Sequence, residues 1–247
     1  MKAMELFDEK QVAVVGGGTG IGKAIGGAVH ARGAGLVLSS RNEAKLKEVA
    51  VNLEGAKVLP VDMADTASIE RWASQLPRID HLVITASSAA HGAFAGLEEN
   101  ALRGMFDAKF FGPYMIAKSA LNRINDGGSI TFFSGILSRR PGINCSGLGA
   151  VNGAVESLTY GLALELGPAI RVNCVSPGMV RSEAYAGLEE ETRENMYTAT
   201  GDSLPVGRVG TVGEAALAAL YLMQNTYSTG VVLDVDGGHM IRQYAKR

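Results

Sequence analysis

Apolar positions along this chain fall into short runs separated by longer amphipathic stretches, and the alternation persists from Gln11 to Gly238. Val12-Ala13-Val14-Val15 is uninterrupted, the pattern of a strand buried on both faces. Further runs over Gly35–Ser39, Ala56–Val61, His81–Ala86, Ser129–Phe133, Ala169–Val175 and Gly230–Val235 predict more strands of the same kind. Between them, helical spacing predicts helices from Lys23, after Asn42, over Thr66–Leu76, from Leu97 to about Ile124, over Ala150–Leu166 and from Thr211 to Met223. Asn42 and Thr211 stand where a side-chain oxygen would cap a helix. Strand–helix alternation of this kind predicts an α/β fold: a Rossmann-type doubly wound parallel sheet flanked by helices, with 1–247 as a single domain. The polar segment from Arg181 to Leu204 has several charges and few apolar anchors, so a mobile helical flap is expected there.

The first strand and first helix are joined by Gly16-Gly17-Gly18-Thr19-Gly20-Ile21-Gly22. A strand feeding a glycine turn that opens into a helix leaves backbone N–H groups free for an anion, with no side chain in the way. Gly16, Gly18, Thr19, Gly20, Ile21 and Gly22 are therefore candidate contacts for a dinucleotide pyrophosphate. A tight turn without a ligand is the plain alternative.

Composition narrows the possibilities. At 247 residues the chain can form one α/β domain with a full core. A net charge of −2, with no basic block longer than Arg139-Arg140, argues against a nucleic-acid partner. The two cysteines, Cys145 and Cys174, have no metal-ligand spacing, so no metal site is expected and a reducing cytoplasm is. The apolar runs are too short for a membrane span. Met1–Glu5 has no apolar core and reads as a frayed terminus.

The G-x-x-x-G-x-G spacing of Gly16, Gly20 and Gly22 resembles the short-chain dehydrogenase/reductase family, in its β-ketoacyl-reductase-like branch. Asn173 to Ser182, Leu204 to Gly210 and Ser228 to Gly238 extend the likeness over essentially Gln11 to Gly238. It implies that Asp62 and Met63 border the adenine, that Ala86 lies in the family's strand-four signature, and that Pro177, Gly178, the Val180 backbone and the Ser182 hydroxyl bracket the nicotinamide. A helix-capping role for Asp62 is the competing reading. After the second strand, the NAD-type members carry an acid where this chain has Ser40, followed by Arg41. A hydroxyl and a guanidinium favour a 2′-phosphate by charge and forked geometry, which points to NADP(H). The alternative is an Arg solvated at a strand end.

The family's proton chemistry uses a Ser, a Tyr and Lys four apart, and an Asn, and none of the four is retained. Counting from matched flanks places Gly135 at the Ser, Leu148 at the Tyr, Asn152 at the Lys and Lys109 at the Asn. No shift of register restores them, because the chain has no Tyr between Tyr114 and Tyr160 and no Lys between Lys118 and Lys246. Lys and Asn are exchanged between positions 109 and 152, so Lys109 is expected to act as a shifted-pKa acid or ribose anchor, unless the site has simply drifted. His91, Ser138, Tyr185, Tyr244 and Cys145 are substitute proton donors to be weighed against packing roles, and Cys174 reads as core.

Three readings follow from the resemblance and the missing tetrad. One is an atypical or very slow NADP(H)-dependent oxidoreductase on a small carbonyl or alcohol. The others are a dinucleotide-binding protein without catalysis, and a non-redox enzyme such as an isomerase or cyclase in the same pocket. Phe94, Leu97, Met179 and Leu188 would make that pocket apolar. The family's pairing of its two long helices also implies a homo-dimer or homo-tetramer.

Overall fold

The computed structural model describes residues 7–85 and 90–242. In chain order it forms β1 (Gln11–Val15), α1 (Gly20–His30), β2 (Gly35–Ser39), α2 (Glu43–Ala50), β3 (Lys57–Val58), α3 (Thr66–Gln75) and β4 (Ile79–Ile84). It continues with α4 (Glu99–Phe106), a π-helical turn (Asp107–Phe111), α5 (Gly112–Ala120), β5 (Ile124–Phe133), α6 (Ser146–Leu166), β6 (Ile170–Pro177) and β7 (Val180–Arg181). The last elements are α7 (Glu190–Asp202), β8 (Gly210–Thr211), α8 (Val212–Gln224) and β9 (Val232–Val235).

Seven strands form one parallel sheet in the order β3-β2-β1-β4-β5-β6-β9, and β7 pairs with β8 in a short separate ribbon. This is the doubly wound Rossmann architecture. Alternating β1 residues feed opposite layers of core. Val12 and Val14 pack with Ile25 and Val29 of α1 and with Ala215, Ala219 and Leu222 of α8. Ala13 and Val15 pack with Ile69 and Trp72 of α3, Ile116 and Ala120 of α5 and Val155 of α6. Burial on both faces is why the strands read as apolar runs rather than alternating ones.

Local chemistry sets the boundaries. Asn42 caps α2 by accepting from the Lys45 N–H at 3.0 Å, and Thr211 and Glu214 make a reciprocal capping box on α8. The expected third strand is regular over two residues only, although the Leu59 and Val61 N–H groups still donate to the Leu38 and Ser40 carbonyls at 2.9 and 3.1 Å. The long central helix is not uniform, since a π turn separates α4 from α5. The polar flap is better anchored than its composition implies. It carries the 13-residue α7, whose Tyr197 is buried edge-on against Tyr185, and Arg181 is paired with Glu194. Ala86 and Tyr244 lie outside the described residues.

Strand order reverses between β1 and β4, and in open α/β sheets such a switch point leaves a crevice at the carboxyl ends of the strands. That crevice is where the candidate residues converge.

Candidate functional site

The glycine turn leaves β1 at this crevice. A Cβ on Gly22 would sit on the Gly16 carbonyl oxygen and within 2.6 Å of Thr85 Oγ1, so only glycine lets α1 start so close to the turn. Gly20 has a φ of +53°, a second constraint on residue type. Thr19, the N-cap of α1, makes no side-chain cap hydrogen bond. A cleft of about 350 Å³ beside the turn is lined by Gly18, Thr19, Lys23, Lys45, Glu48 and Glu183.

The end of β2 is stitched to α3 by the buried Trp72 indole, which donates to Ser39 Oγ at 2.9 Å. Ser40 and Arg41 emerge directly beyond it. A Cβ on Gly18 would lie 3.3 Å from Ser40 Oγ, so the turn and the strand end share one rim. Arg41, Asp62 and Arg71 line a second cleft of about 360 Å³. Lys23, Arg41 and Lys45 make no ion pair among the described residues, although Lys10, Lys47, Arg71, Arg103 and Arg208 all do. Unpaired cations beside a glycine turn suit a phosphate-rich ligand. Asp65, rather than Asp62, caps α3 by accepting from the Ala67 N–H at 2.9 Å, so the capping reading of Asp62 is set aside. Asp62 Oδ1 accepts from the Ala64 N–H at 3.0 Å, a turn that brings Met63 against Gly112.

On the far side of the crevice, β7 holds Val180, whose register partner is Gly210. Ser182 caps the next turn by accepting from the Ala184 N–H at 3.4 Å. A Cβ on Gly178 would meet the Asp236 backbone, so Pro177-Gly178 packs tightly on the turn after β9.

Lys109, Gly135 and Asn152, three of the four positions aligned with the family's tetrad, meet at the end of β5. Lys109 lies in the π turn, a distortion that often marks functional sites. Its side chain is buried, and Nζ donates to the Ser134 carbonyl at 2.9 Å. Burial lowers its pKa from 10.5 to about 8, because the cation loses hydration. Gly135 leaves room for Asn152: a Cβ there would lie 3.0 Å from Asn152 Nδ2. Asn152 is 2% exposed, and its Oδ1 is buried with no hydrogen-bond partner among the described residues. Lys109 and Asn152 therefore both abut the Ser134–Gly135 segment. Leu148 packs in an apolar cluster with Met105 and Val151, bordered by Leu97, Leu102 and Leu137.

One turn beyond Asn152 on the same face of α6 is Glu156, 5% exposed. Its Oε1 accepts from Ser134 Oγ at 3.0 Å and from Ser138 Oγ at 2.6 Å, and its Oε2 lies 3.3 Å from Arg139 Nε. Arg139 also pairs with Asp234 of β9 and donates to Ser176 Oγ of β6 at 3.1 Å. Paired with two acids, the guanidinium is held above its usual pKa, chiefly by its hydrogen bonds to Asp234. Ser138 is consequently engaged with Glu156. An acid on a helix of small and apolar residues, at the i+4 spacing of 148, 152 and 156, was the available sequence signal for Glu156.

The other candidates are dispersed. Cys145 Sγ is 3.4 Å from His91 Nδ1, a pairing that sequence separation hides, and burial raises the thiol pKa. Tyr185 packs on Tyr197, and burial raises its phenol too. Phe94 is fully on the surface and Leu97 joins the Leu148 cluster. Cys174 is core, as expected.

Residues 16–240 match the family model described as enoyl-(acyl carrier protein) reductase. Galactitol 2-dehydrogenase (L-tagatose-forming) of Cereibacter sphaeroides is 33% identical over 95% of this chain and 96% of its own. The chain belongs to the short-chain dehydrogenase/reductase family. L-fucose dehydrogenase of Mus musculus is 31% identical over 96% of this chain and 91% of that one. Among solved structures, a small-chain dehydrogenase in complex with NADPH superposes with a TM-score of 0.83 at 34% identity, covering 94% of this chain and 99% of that chain. The MalC reductase/Diels-Alderase of Malbranchea aurantiaca gives 0.89 at 25% identity, covering 98% and 100%.

Proposed function

We propose that this short-chain dehydrogenase/reductase binds NADP(H) and acts on a small carbonyl or alcohol without its family's Ser–Tyr–Lys–Asn relay, with Lys109 as the replacement group. The residues present fit the dinucleotide. Gly16, Gly18, Thr19, Gly20, Ile21 and Gly22 supply the pyrophosphate cradle, and Gly22 has no room for a side chain. Ser40 and Arg41 meet a 2′-phosphate, and Asp62 and Met63 border the adenine. Pro177, Gly178, Val180 and Ser182 hold the carboxamide. When bound, the cofactor supplies or accepts a hydride.

The observation that carries the reading is the buried Lys109 ammonium set against the open Asn152 Oδ1. An unpartnered buried acceptor is costly unless a ligand donor completes it, which a ribose hydroxyl would do. Lys109, with a pKa near 8, holds a proton at neutral pH and releases it with little penalty. A positioned acid is worth about 10²–10⁴ in rate, so ordinary ketone reduction is expected to be slow wherever Lys109 cannot reach the oxygen.

A cyclase reading is second. The apolar wall of Met105, Leu148 and Val151 supports it, as does a structural neighbour described as both reductase and Diels-Alderase. A dimer or tetramer through α5 and α6 is supported by the exposed Tyr114, Tyr160 and Leu164.

NADPH fluorescence titration followed by a carbonyl panel tests this. Turnover that is lost in Lys109→Met supports the proposal. Binding without turnover favours the non-redox or non-catalytic reading, and absence of NADPH binding overturns all three.

A further inference from the structure

Glu183 has no part in the roles above. It begins the single turn after Ser182, is exposed, and makes no ion pair among the described residues. Its Oε2 accepts from the Gly20 N–H at 2.9 Å, across 163 positions of sequence. Gly20 is the first residue of α1, where helix geometry leaves the N–H without an internal acceptor. The carboxylate of the turn after Ser182 meets that donor.

That donor belongs to the pyrophosphate cradle. A carboxylate and a phosphate oxygen need the same N–H and carry the same sign of charge, so the site cannot hold both. Lys23 and Lys45 line the same cleft and make no ion pair with Glu183 that would anchor it there. Glu194, another acid of the same segment, is already held by Arg181.

We propose that Glu183 is an internal competitor for the dinucleotide pyrophosphate: it sets the affinity of the site and couples filling of the glycine turn to release of the Ser182–Tyr185 turn. The inference rests on the NADP(H) reading. Ser182, which would hold the carboxamide, is the neighbour of the side chain that must leave. Pyrophosphate arrival therefore frees the segment that closes on the other end of the ligand.

The test compares wild type, Glu183→Gln and Glu189→Gln, the last removing another exposed acid, one that makes no side-chain cap hydrogen bond and no ion pair among the described residues. NADPH is expected to bind Glu183→Gln about two- to fivefold more tightly than wild type, the range for one charge at a helix N-terminus. Glu189→Gln is expected to match wild type. Equal or weaker binding by Glu183→Gln, or equal tightening by both variants, overturns the proposal. If none binds NADPH, the cofactor reading fails by itself, and inorganic pyrophosphate then decides for Glu183. Displacement of the Gly20 amide resonance at lower pyrophosphate concentration in Glu183→Gln than in wild type supports the competition, and coincident titrations overturn it.

Discussion

Lys109 Nζ donates to the Ser134 carbonyl oxygen at 2.9 Å, and this is the one hydrogen bond that its ammonium makes among the described residues. No carboxylate pairs with it there; Glu156 is turned toward Ser134 Oγ, Ser138 and Arg139 instead. A cation held with so few partners is a cost to the fold, and that cost has a readable pH signature.

Lys109→Met is expected to keep or raise thermal stability at pH 7 while abolishing any turnover. Below pH 8 the folded protein holds the buried charge, whereas the unfolded chain keeps its lysine protonated up to about 10.5. Between those values the unfolded state binds more protons, so wild type gains stability relative to the variant as pH rises. The full difference is about 3 kcal/mol. Urea unfolding of both proteins at pH 7 and pH 10 measures it; parallel curves would show that Lys109 does not titrate there.

Acid stability is expected to depend on His81. Its ring sits in β4, 2.9 Å from Ser129 Oγ, and burial lowers its pKa from 6.5 to about 4. The unfolded chain takes up this proton first, so stability is lost as pH falls from about 6.5 to about 4. His81→Gln should flatten that part of the stability profile, measured as the shift in urea midpoint between pH 7 and pH 5.

Glu156→Ala should destabilise the protein by about 2 kcal/mol, since it strands two hydroxyls and a guanidinium. The Arg139 side chain is 35% exposed and keeps Asp234, which holds the loss below that of a fully buried pair. Ser138→Ala, which removes a single hydrogen bond, should cost about 1 kcal/mol. Chemical denaturation of the two variants gives the comparison.

Arg41→Ala should weaken NADPH binding about tenfold or more while leaving NADH nearly unchanged, because a charge-assisted contact to phosphate is removed. Equal losses for both nucleotides would place Arg41 outside the 2′-phosphate site.

Reversion tests the lost relay. The combined Lys109→Asn, Gly135→Ser, Leu148→Tyr and Asn152→Lys variant should reduce simple ketones about 10²-fold faster than wild type or more. Each single change should do little, because such residues act as a unit. Gly135→Ser alone must also push against Asn152 Nδ2, which shows as a loss of stability. NADPH oxidation at 340 nm is a direct assay.

The fold was legible because its signals are local. A strand buried on both faces announces itself as an apolar run, and Asn42 and Thr211 stand at their helix starts. The glycine turn was legible for the same reason, since strand, turn and helix are contiguous. Flanking matches also located Lys109 and Asn152, which the fold then brings to one peptide segment. The Glu156–Arg139–Asp234 array escaped notice because its members come from three separate segments that meet only once β9 is laid beside β6. Glu183 and Gly20, and Cys145 and His91, were hidden likewise by distance along the chain. The π turn had no composition of its own to betray it.

That turn makes the direction of Lys109 a matter of residue count. Five residues span Asp107–Phe111, and an ordinary helical turn would accommodate about one fewer. Deleting a single residue there would let α4 run into α5 without a break and would swing the amine by about 100° around the axis. The neighbouring helices would keep their seats while the Ser134–Gly135 segment lost its ammonium, a change of chemistry achieved by shortening the chain by one.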